Sequence, residues 1–222
     1  MGRHTTQYYL AMQAVNPFQA STVFSPLVLH SYVATYGGVL SGDSVWDNTI
    51  QYSTPNIGGL TASVQHAFGE VAGNNSIDNN GLNVRYVNGP LSATFAAQRV
   101  KVAKVAPSTS QTAYLAGGTY DFGPVKLFAS AQATDRNITD LKSKTYQLGA
   151  SIPVTPSSNI LMSWAQTKIE KPTTSDIKRN TAAIGYDYFL SKRTDVYAIY
   201  LYDKLTSYSV GNSYALGIRH TF

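Results

Sequence analysis

The chain has 222 residues, of which only 13% are charged, about half the roughly 25% of a typical soluble domain. Its aromatic content of 12% excludes intrinsic disorder, because disordered chains are rich in charge and poor in aromatic residues. The net charge of +5 favours anionic partners. The basic residues are scattered singly, however, so we expect no nucleic-acid partner.

Two further features limit the class of protein. The longest unbroken apolar run, Val196–Tyr202, is far shorter than the roughly 20 residues of a membrane-spanning helix. The absence of cysteine excludes a disulfide framework and a thiolate metal site. No apolar segment with a basic flank stands at the N-terminus, so a signal peptide is either absent or already removed.

In chain order, the first segment is a long region without charged side chains. From Thr5 to Gly42 there is no Asp, Glu, Lys or Arg, and no regular alternation predicts a strand. A connection of about 40 residues is far longer than the usual loop and is typically functional. We therefore divide the single domain of residues 1–222 into a functional loop, 5–43, and a strand-forming part, 44–222.

From Asn48 to the C-terminus, apolar and polar residues alternate with a period of two, which predicts strands with one apolar and one polar face. Short turns rich in Gly, Pro or Ser alternate with longer polar loops. The predicted longer loops are Glu70–Asn80, Ala103–Gln111, Asp135–Lys144, Glu170–Lys178 and Leu205–Gly211. This rhythm predicts about 11 antiparallel strands in an up-and-down meander, with short turns at one rim and long loops at the other.

A soluble all-β fold and a transmembrane β-barrel both fit this period, so the two faces must decide. The apolar face is rich in Ala and Tyr, with aromatic residues towards the strand ends, as in the girdles at membrane interfaces. The other face carries long polar side chains such as Gln51, Arg85 and Gln98. A dry core would make these groups very costly, whereas a water-filled lumen would not. We therefore favour the membrane barrel, with the 5–43 loop folded into its lumen.

Several motifs carry a family resemblance, namely Gly2-Arg3, Asn48–Pro55, Tyr86–Leu91, Gly185–Tyr188, Leu190–Asp195 and the ending Gly217–Phe222. These segments resemble the general trimeric porins of Gram-negative outer membranes, in particular their beta-proteobacterial branch. The resemblance implies a 16-stranded barrel of which this chain holds the C-terminal part, without the first strands, and it identifies Thr5–Gly42 with the constriction loop. It also implies a homotrimer in the outer membrane, in contact with lipid and assembled by the outer-membrane assembly machinery, with no cofactor.

The polar face and the resemblance together predict a set of pore-lining residues. These are Arg3, Gln51, Arg85, Gln98 and Arg219. We expect Arg3 and Arg85 to form a basic ladder that lowers the barrier for anions. The alternative is that such bases are wall charges paired with nearby acids, which we favour for Arg219. Because the loop lacks the acids that many relatives carry opposite their arginines, we expect a preference for anions.

The last strand carries a second predicted site. Tyr214, Ile218 and Phe222 share one face and resemble the signal that the assembly machinery reads. The alternative is simply a last strand that faces lipid, and the two readings are compatible.

An enzyme is not expected. The four histidines, His4, His30, His66 and His220, show neither the partners of a catalytic triad nor the spacing of a metal site. We therefore predict no catalytic, cofactor-binding or metal-binding residues.

Two functional hypotheses follow. The first is a passive, water-filled channel for small hydrophilic solutes and ions, weakly selective for anions. The second is a structural or adhesive barrel whose lumen is plugged and whose loops bind a surface partner. We favour the channel, because a plug should require bulky wall residues, whereas many positions on the polar face are Gly, Ala, Ser or Thr.

Overall fold

The computed structural model describes residues 2–33, 41–69, 78–101, 110–137, 140–172 and 175–221. Within these residues, two helices follow the first strand, and eleven further strands follow the helices. The elements are β1 Gly2–Thr5, α1 Gln7–Ala14, α2 Pro26–Tyr32, β2 Val45–Ser53, β3 Leu60–Ala67, β4 Asn79–Asn88, β5 Leu91–Lys101, β6 Ser110–Asp121, β7 Lys126–Arg136, β8 Leu141–Thr155, β9 Ser158–Glu170, β10 Ile177–Ser191, β11 Thr194–Leu205 and β12 Gly211–His220.

The strands form one antiparallel sheet in which each strand pairs with the next in sequence, from β1 to β12. This confirms the expected all-β, up-and-down architecture. Short connections, such as residues 89–90 and 156–157, lie at one rim of the sheet, and the longer connections lie at the other. Neither helix is long and apolar enough to cross a membrane, and the described residues contain no other helix.

One predicted loop is wrong in its length. The segment Asp135–Lys144 was expected to be a long connection, but β7 and β8 occupy most of it and leave only residues 137–140 between them. Asp135 pairs with Lys142 in the strand ladder, and their side chains approach to 3.8 Å. The polarity of this segment therefore reflects strand ends that project at the rim, not a loop.

The two faces of the sheet differ as the alternation predicts. The inner face carries polar side chains that are largely buried, among them Gln65, Gln98, Gln132, Gln147 and Thr181. The outer face carries exposed apolar side chains, among them Val64, Phe95, Leu148 and Ile184. The long polar residues thus share the face against which the helices pack.

Residues 6–44 are called the inner loop, and its described parts, residues 6–33 and 41–44, lie against the inner face of the sheet. Helix α1 packs over β4, β5 and β6, and α2 packs over β8, β9 and β10. The largest cluster of buried apolar residues joins the loop to the wall and consists of Tyr8, Ala11, Met12, Val15, Leu27, Val28, Ala96, Ala113 and Leu115. Most of the apolar core therefore lies between the loop and the sheet.

The sequence analysis predicted no helix in this segment, although the helix starts have ordinary signals. The Thr6 side chain accepts from the Tyr9 amide at 3.3 Å, and the Ser25 side chain accepts from the Val28 amide at 3.3 Å. Pro26 follows Ser25 at the first helical position, where a missing N–H costs nothing. Each helix is short, so these caps are a large part of its local stability.

Candidate functional site on the inner face

Glutamine side chains attach both ends of the inner loop to the wall. Gln65 Oε1 accepts from the backbone amide of Gln7 at 3.2 Å, and Gln65 Nε2 donates to the Thr5 carbonyl at 3.2 Å. Gln98 Nε2 donates to the Ser41 carbonyl. A primary amide offers both donors and an acceptor, so each glutamine can satisfy loop backbone that is buried away from water.

Gln132 on β7 holds both sides of residues 34–40. Its Nε2 donates to Ser41 Oγ at 3.0 Å, and its Oε1 accepts from Ser31 Oγ at 2.9 Å. The Ser41 amide also donates to the Ser31 carbonyl at 2.7 Å. One wall residue therefore fixes the end of α2 together with the return of the loop towards β2.

The second half of the loop is attached through His30, a buried residue of α2. Its Nδ1 lies 2.7 Å from Thr167 Oγ1, and its Nε2 lies 2.6 Å from Thr181 Oγ1. The Thr181 hydroxyl donates to Asp203 Oδ1 at 2.5 Å, so its oxygen accepts from Nε2–H of the imidazole. This leaves Nδ1 as the acceptor of the Thr167 hydroxyl and assigns the Nε2–H tautomer.

This network holds a neutral imidazole. Burial, followed by the positive charge of Arg179, lowers the pKa of His30 from 6.5 to about 3, against a smaller opposing effect of Asp203. A protonated ring would carry two N–H donors, and Thr167 could no longer donate to Nδ1. Docking of α2 on the wall therefore depends on an uncharged His30.

An ion pair on β10 and β11 lies beside this histidine. Arg179 Nε and Nη2 donate to the two carboxylate oxygens of Asp203, each at 2.9 Å. Arg179 Nη1 donates to the Leu29 carbonyl of α2 at 3.3 Å. Carbonyls in the last turn of a helix have no partner within the helix and carry its partial negative charge, so a guanidinium is a favourable partner there. The pair stabilises the wall and the loop together.

Two glycines of the wall receive bulky loop residues. A Cβ at Gly149 would lie 2.7 Å from Pro17 Cδ, and a Cβ at Gly185 would lie 3.1 Å from Phe18 Cε1. The small residues of this face predict open space beside the wall. At these two positions that inference is wrong, because the missing side chain makes room for the loop.

Arg85 borders the inner loop on the other part of the wall. Helix α1 packs on a row of paired residues that contains Ala96 and Leu115, both fully buried. Arg85 stands on β4 two residues beyond Asn83 of that row, about 7 Å nearer the short-turn rim. It is exposed, and no carboxylate of the described residues lies within ion-pairing distance.

The two predicted glutamines differ in their surroundings. Gln51 pairs with Gln65 across β2 and β3, is exposed, and donates to Ser53 Oγ at 3.3 Å. Gln98 is buried beneath the inner loop. Its expected contact with a water-filled lumen is therefore corrected, since the loop covers this part of the wall and takes the amide as a hydrogen-bond partner.

Arg219 is paired with an acid, in agreement with the alternative that we favoured for it. Its Nε donates to Asp195 Oδ1 at 2.9 Å. Arg3 lies 3.6 Å from Asp47. Gly2 and His4, its neighbours on β1, pair with Thr49 and Trp46, which are buried on the inner face. Because successive residues of a strand point to opposite faces, Arg3 points to the outer face. We correct its assignment as a pore-lining residue accordingly.

On β12, Tyr214 and Ile218 are strongly exposed and lie on the outer face. Phe222, the third residue of the predicted assembly signal, lies outside the described residues. Lys126 and Asp121 are cross-strand partners but form no ion pair. The Lys126 ammonium lies instead 5.5 Å from the centre of the Phe128 ring.

The comparison with protein families decides the identity of this fold. The model of a family described as Gram-negative porin matches residues 1–208. The chain belongs to the Gram-negative porin family. Membership confirms the resemblance that the motifs carry, and it places the protein in the outer membrane.

Individual relatives agree with the family. The porin is 35% identical over 158 residues to outer membrane porin protein 32 of Delftia acidovorans, across 68% of this chain and 44% of that protein. It is 28% identical to an outer membrane porin protein of Bordetella pertussis, across 80% of this chain and 58% of that protein. The chain thus spans about half the length of these relatives.

A solved structure extends the likeness to the whole chain. An anion-selective porin from Comamonas acidovorans superimposes with a TM-score of 0.80 at 28% identity, across 100% of this chain and 73% of that one. The family and these relatives are channels and not enzymes. Among the described residues of this porin, no group of His, Cys, Asp and Glu could hold a metal ion.

The sequence analysis missed the residues that attach α2 to the porin wall. Arg179, Thr181 and Asp203 all fall on the polar face, and Arg179 and Asp203 stand on consecutive strands with opposite charges. That pattern was a usable signal for an ion pair. The hydrogen bonds of His30 to the wall could not be predicted from the sequence, because its partners are more than 130 positions away in the chain.

Proposed function

We propose that this porin forms a water-filled channel through which small hydrophilic solutes and ions diffuse passively, with a weak preference for anions. The observation that carries the proposal is a loop without charged residues, folded onto a polar inner wall and bordered by the exposed base Arg85. The loop narrows the space beside the wall, and in this reading residues 5–43 are the constriction and residues 44–222 the barrel strands.

The preference for anions rests on Arg85 and on a loop that carries no acid between Thr5 and Gly42. Arg179 and Arg219 are neutralised by Asp203 and Asp195, so their effect on a passing ion is small. Arg85 has no such partner among the described residues, and between Thr5 and Gly42 the loop offers no carboxylate. A base of this kind in a narrow, low-dielectric setting raises the local concentration of anions. The solved porin of similar fold is named anion-selective, which supports the proposal.

Assembly and partners are proposed on family grounds. We infer a homotrimer of the complete porin, with lipid around the outer face. The assembly machinery would read the strand that carries Tyr214, Ile218 and Phe222. The exposed apolar side chains of β12 support an environment of lipid or protein for this strand, because water would make it costly.

Single-channel recording tests the proposal. The protein is purified from outer membranes and added to a planar bilayer. A channel predicts discrete steps of conductance that are ohmic at low voltage, with a reversal potential displaced towards that of the anion in a salt gradient. A bilayer that stays silent, with protein shown to be inserted, would support the structural or adhesive barrel with a plugged lumen instead.

A further inference from the structure

Three lysines stand side by side on the outer face of the porin. Lys144 on β8 is the cross-strand partner of Lys168 on β9, and Lys168 is the partner of Lys178 on β10. All three are near the ends of their strands at the long-loop rim. Like charges directly opposite each other in an antiparallel pair are destabilising, so this row, which we call the lysine row, requires compensation by negative charge.

The protein supplies only part of that charge. Glu170 lies 3.3 Å from Lys168 and 3.8 Å from Lys144, and Asp176 lies 2.9 Å from Lys168. The central lysine therefore takes most of the compensation. Among the described residues, Lys178 has no carboxylate within ion-pairing distance. Two of the three ammonium groups remain weakly neutralised and open to an external anion.

An apolar groove lies below the lysine row on the same three strands and reaches β11. It has a volume of about 480 Å³, and its lining includes the small residues Ala150 and Ala182 and the larger Leu148, Trp164, Ile184 and Tyr200. Trp164 stands four residues from Lys168 along β9, on the order of 13 Å. Between them lies a polar row in which Gln166 Nε2 donates to Asn180 Oδ1 at 2.7 Å. From the rim towards the membrane centre the surface thus changes from cationic through neutral polar to apolar.

We propose that the lysine row and this groove form one binding site for a phosphorylated lipid, with the phosphate at Lys144 and Lys178 and an acyl chain over Ala150 and Ala182. Charge complementarity selects an anionic head group, and the groove below it selects a chain that a free phosphate lacks. The site lies on the outer face, so the proposal rests on the location of the porin in a membrane and not on transport through it.

The groove contains its own reporter. The chain has two tryptophans. Trp164 is 38% exposed at the groove, whereas Trp46 is 3% exposed and packs near Gly81 on the inner face. In the Trp46→Phe variant, Trp164 is the remaining tryptophan, so tryptophan fluorescence reports the groove. The further change Trp164→Phe gives the background signal to subtract. Acyl chains brominated at the middle of the chain quench tryptophan on contact, so quenching measures occupancy of the groove.

The experiment compares two lipids that differ only in the head group. The purified porin is reconstituted in vesicles of phosphatidylcholine with a small fraction of brominated phosphatidylglycerol or, in parallel, brominated phosphatidylcholine. We expect phosphatidylglycerol to quench Trp164 at a several-fold lower fraction. Each lysine near a membrane surface favours anionic lipid by about 1 kcal/mol, or about fivefold, so Lys144→Gln with Lys178→Gln should abolish this preference.

Matched variants separate the site from general attraction. Lys192→Gln with Arg193→Gln removes the same charge from a turn at the opposite rim and should leave the preference unchanged. Lys144→Arg with Lys178→Arg should retain it, which also controls for folding of the lysine row variants. Equal quenching by the two lipids, an equal loss in the opposite-rim variant, or displacement by millimolar inorganic phosphate would each overturn the proposal. Normal single-channel conductance in the lysine variants would show that the proposed lipid site and the proposed channel function are independent, so that either can fail without the other.

Discussion

Arg179 and Asp203 form two parallel hydrogen bonds of 2.9 Å across β10 and β11, and the same guanidinium donates to the Leu29 carbonyl of the inner loop. The side chain of Arg179 is 8% exposed and that of Asp203 is 18% exposed. Removing the carboxylate would leave a buried positive charge beside the loop with no opposite charge. The inner loop would lose an anchor at the same time as the wall loses a pair.

We therefore expect Asp203→Asn to lower the free energy of unfolding by about 3 kcal/mol, since breaking one partner of a buried pair strands the other. Urea unfolding of the detergent-solubilised porin measures this. Asp195→Asn is the control, because its partner Arg219 is 60% exposed, and we expect a loss of about 1 kcal/mol or less. Equal losses of unfolding free energy in the two variants would show that the ion pair of Arg179 with Asp203 adds little to the stability of the porin.

A second prediction concerns acid. The pKa of His30 is about 3 in the folded porin, below its ordinary value of 6.5. Between these two values the unfolded chain binds the proton more readily, so the stability from neutral His30 is complete above pH 6.5 and is lost progressively as the pH falls towards 3. At pH 4 we expect a loss of a few kcal/mol relative to pH 7.

The measurement is the unfolding midpoint as a function of pH, with His30→Gln as the test variant. This variant should be less stable at pH 7 and should lack the part of the acid dependence that His30 contributes. His66→Gln is the control, because His66 lies on the outer face, bonded to Asn80 at 2.9 Å. Parallel pH profiles of the wild type and His30→Gln would contradict the prediction.

The third prediction concerns selectivity. Two unit charges about 4 Å apart interact by roughly 1 kcal/mol in water and about 4 kcal/mol at an effective dielectric near 20. A narrow wet pore lies between these limits, so Arg85→Gln should lower the ratio of anion to cation permeability by a factor of several. The reversal potential in a dilute salt gradient measures the ratio.

The same shift should shrink in concentrated salt, because the Debye length falls from about 10 Å at 0.1 M to about 3 Å at 1 M. Arg219→Gln is the matched control, since this arginine is already paired with Asp195, and its effect should be smaller. An unchanged reversal potential for Arg85→Gln in dilute salt would make Arg85 a wall residue without an effect on ion selection.

The fourth prediction concerns the contact between the inner loop and the wall. A Cβ at Gly149 would lie 2.7 Å from Pro17 Cδ and 2.9 Å from Gln147 Nε2, so Gly149→Ala forces the loop away from the sheet. We expect a loss of about 1–3 kcal/mol, as for other overpacked sites, and a smaller single-channel conductance as the loop moves into the lumen.

Gly211→Ala provides the comparison. The nearest atom to its added Cβ would be the Asp203 carbonyl oxygen at 3.8 Å, an ordinary contact. Both the stability and the conductance of this variant should stay close to those of the wild type. A conductance unaltered by Gly149→Ala would show that the loop accommodates the methyl group without moving.

The strands of the sheet and their two faces could be predicted from the sequence, because the alternation of apolar and polar residues along a strand is a local pattern. The period of two assigned Gln51, Arg85 and Gln98 to one face, and the described residues after position 44 contain eleven strands, in agreement with the prediction of about 11. It was insufficient for contacts between the loop and the wall. Gln98 was expected to meet water and instead meets Ser41, and nothing local to Gln98 distinguishes it from the exposed Gln51.

The same limit explains the error at Gly149 and the omission of Arg179. A small residue on a polar face is compatible with open space or with a tightly packed neighbour, and only the position of Pro17 separates the two. An arginine on that face is compatible with a passing ion or with a fixed acid. Long-range packing, which pairs positions far apart in sequence, decides both.

The inner loop is attached to the wall by two kinds of chemistry. Gln65 holds its first residues and Gln98 holds its return at Ser41, both through primary amides, which have no proton to gain or lose in the physiological range. Between these two attachments, His30 holds α2 through an imidazole that must stay uncharged. A change of conditions that charges the imidazole therefore loosens α2 while both ends of the loop remain fixed, so the loop would lift from the wall in its middle and not detach as a whole.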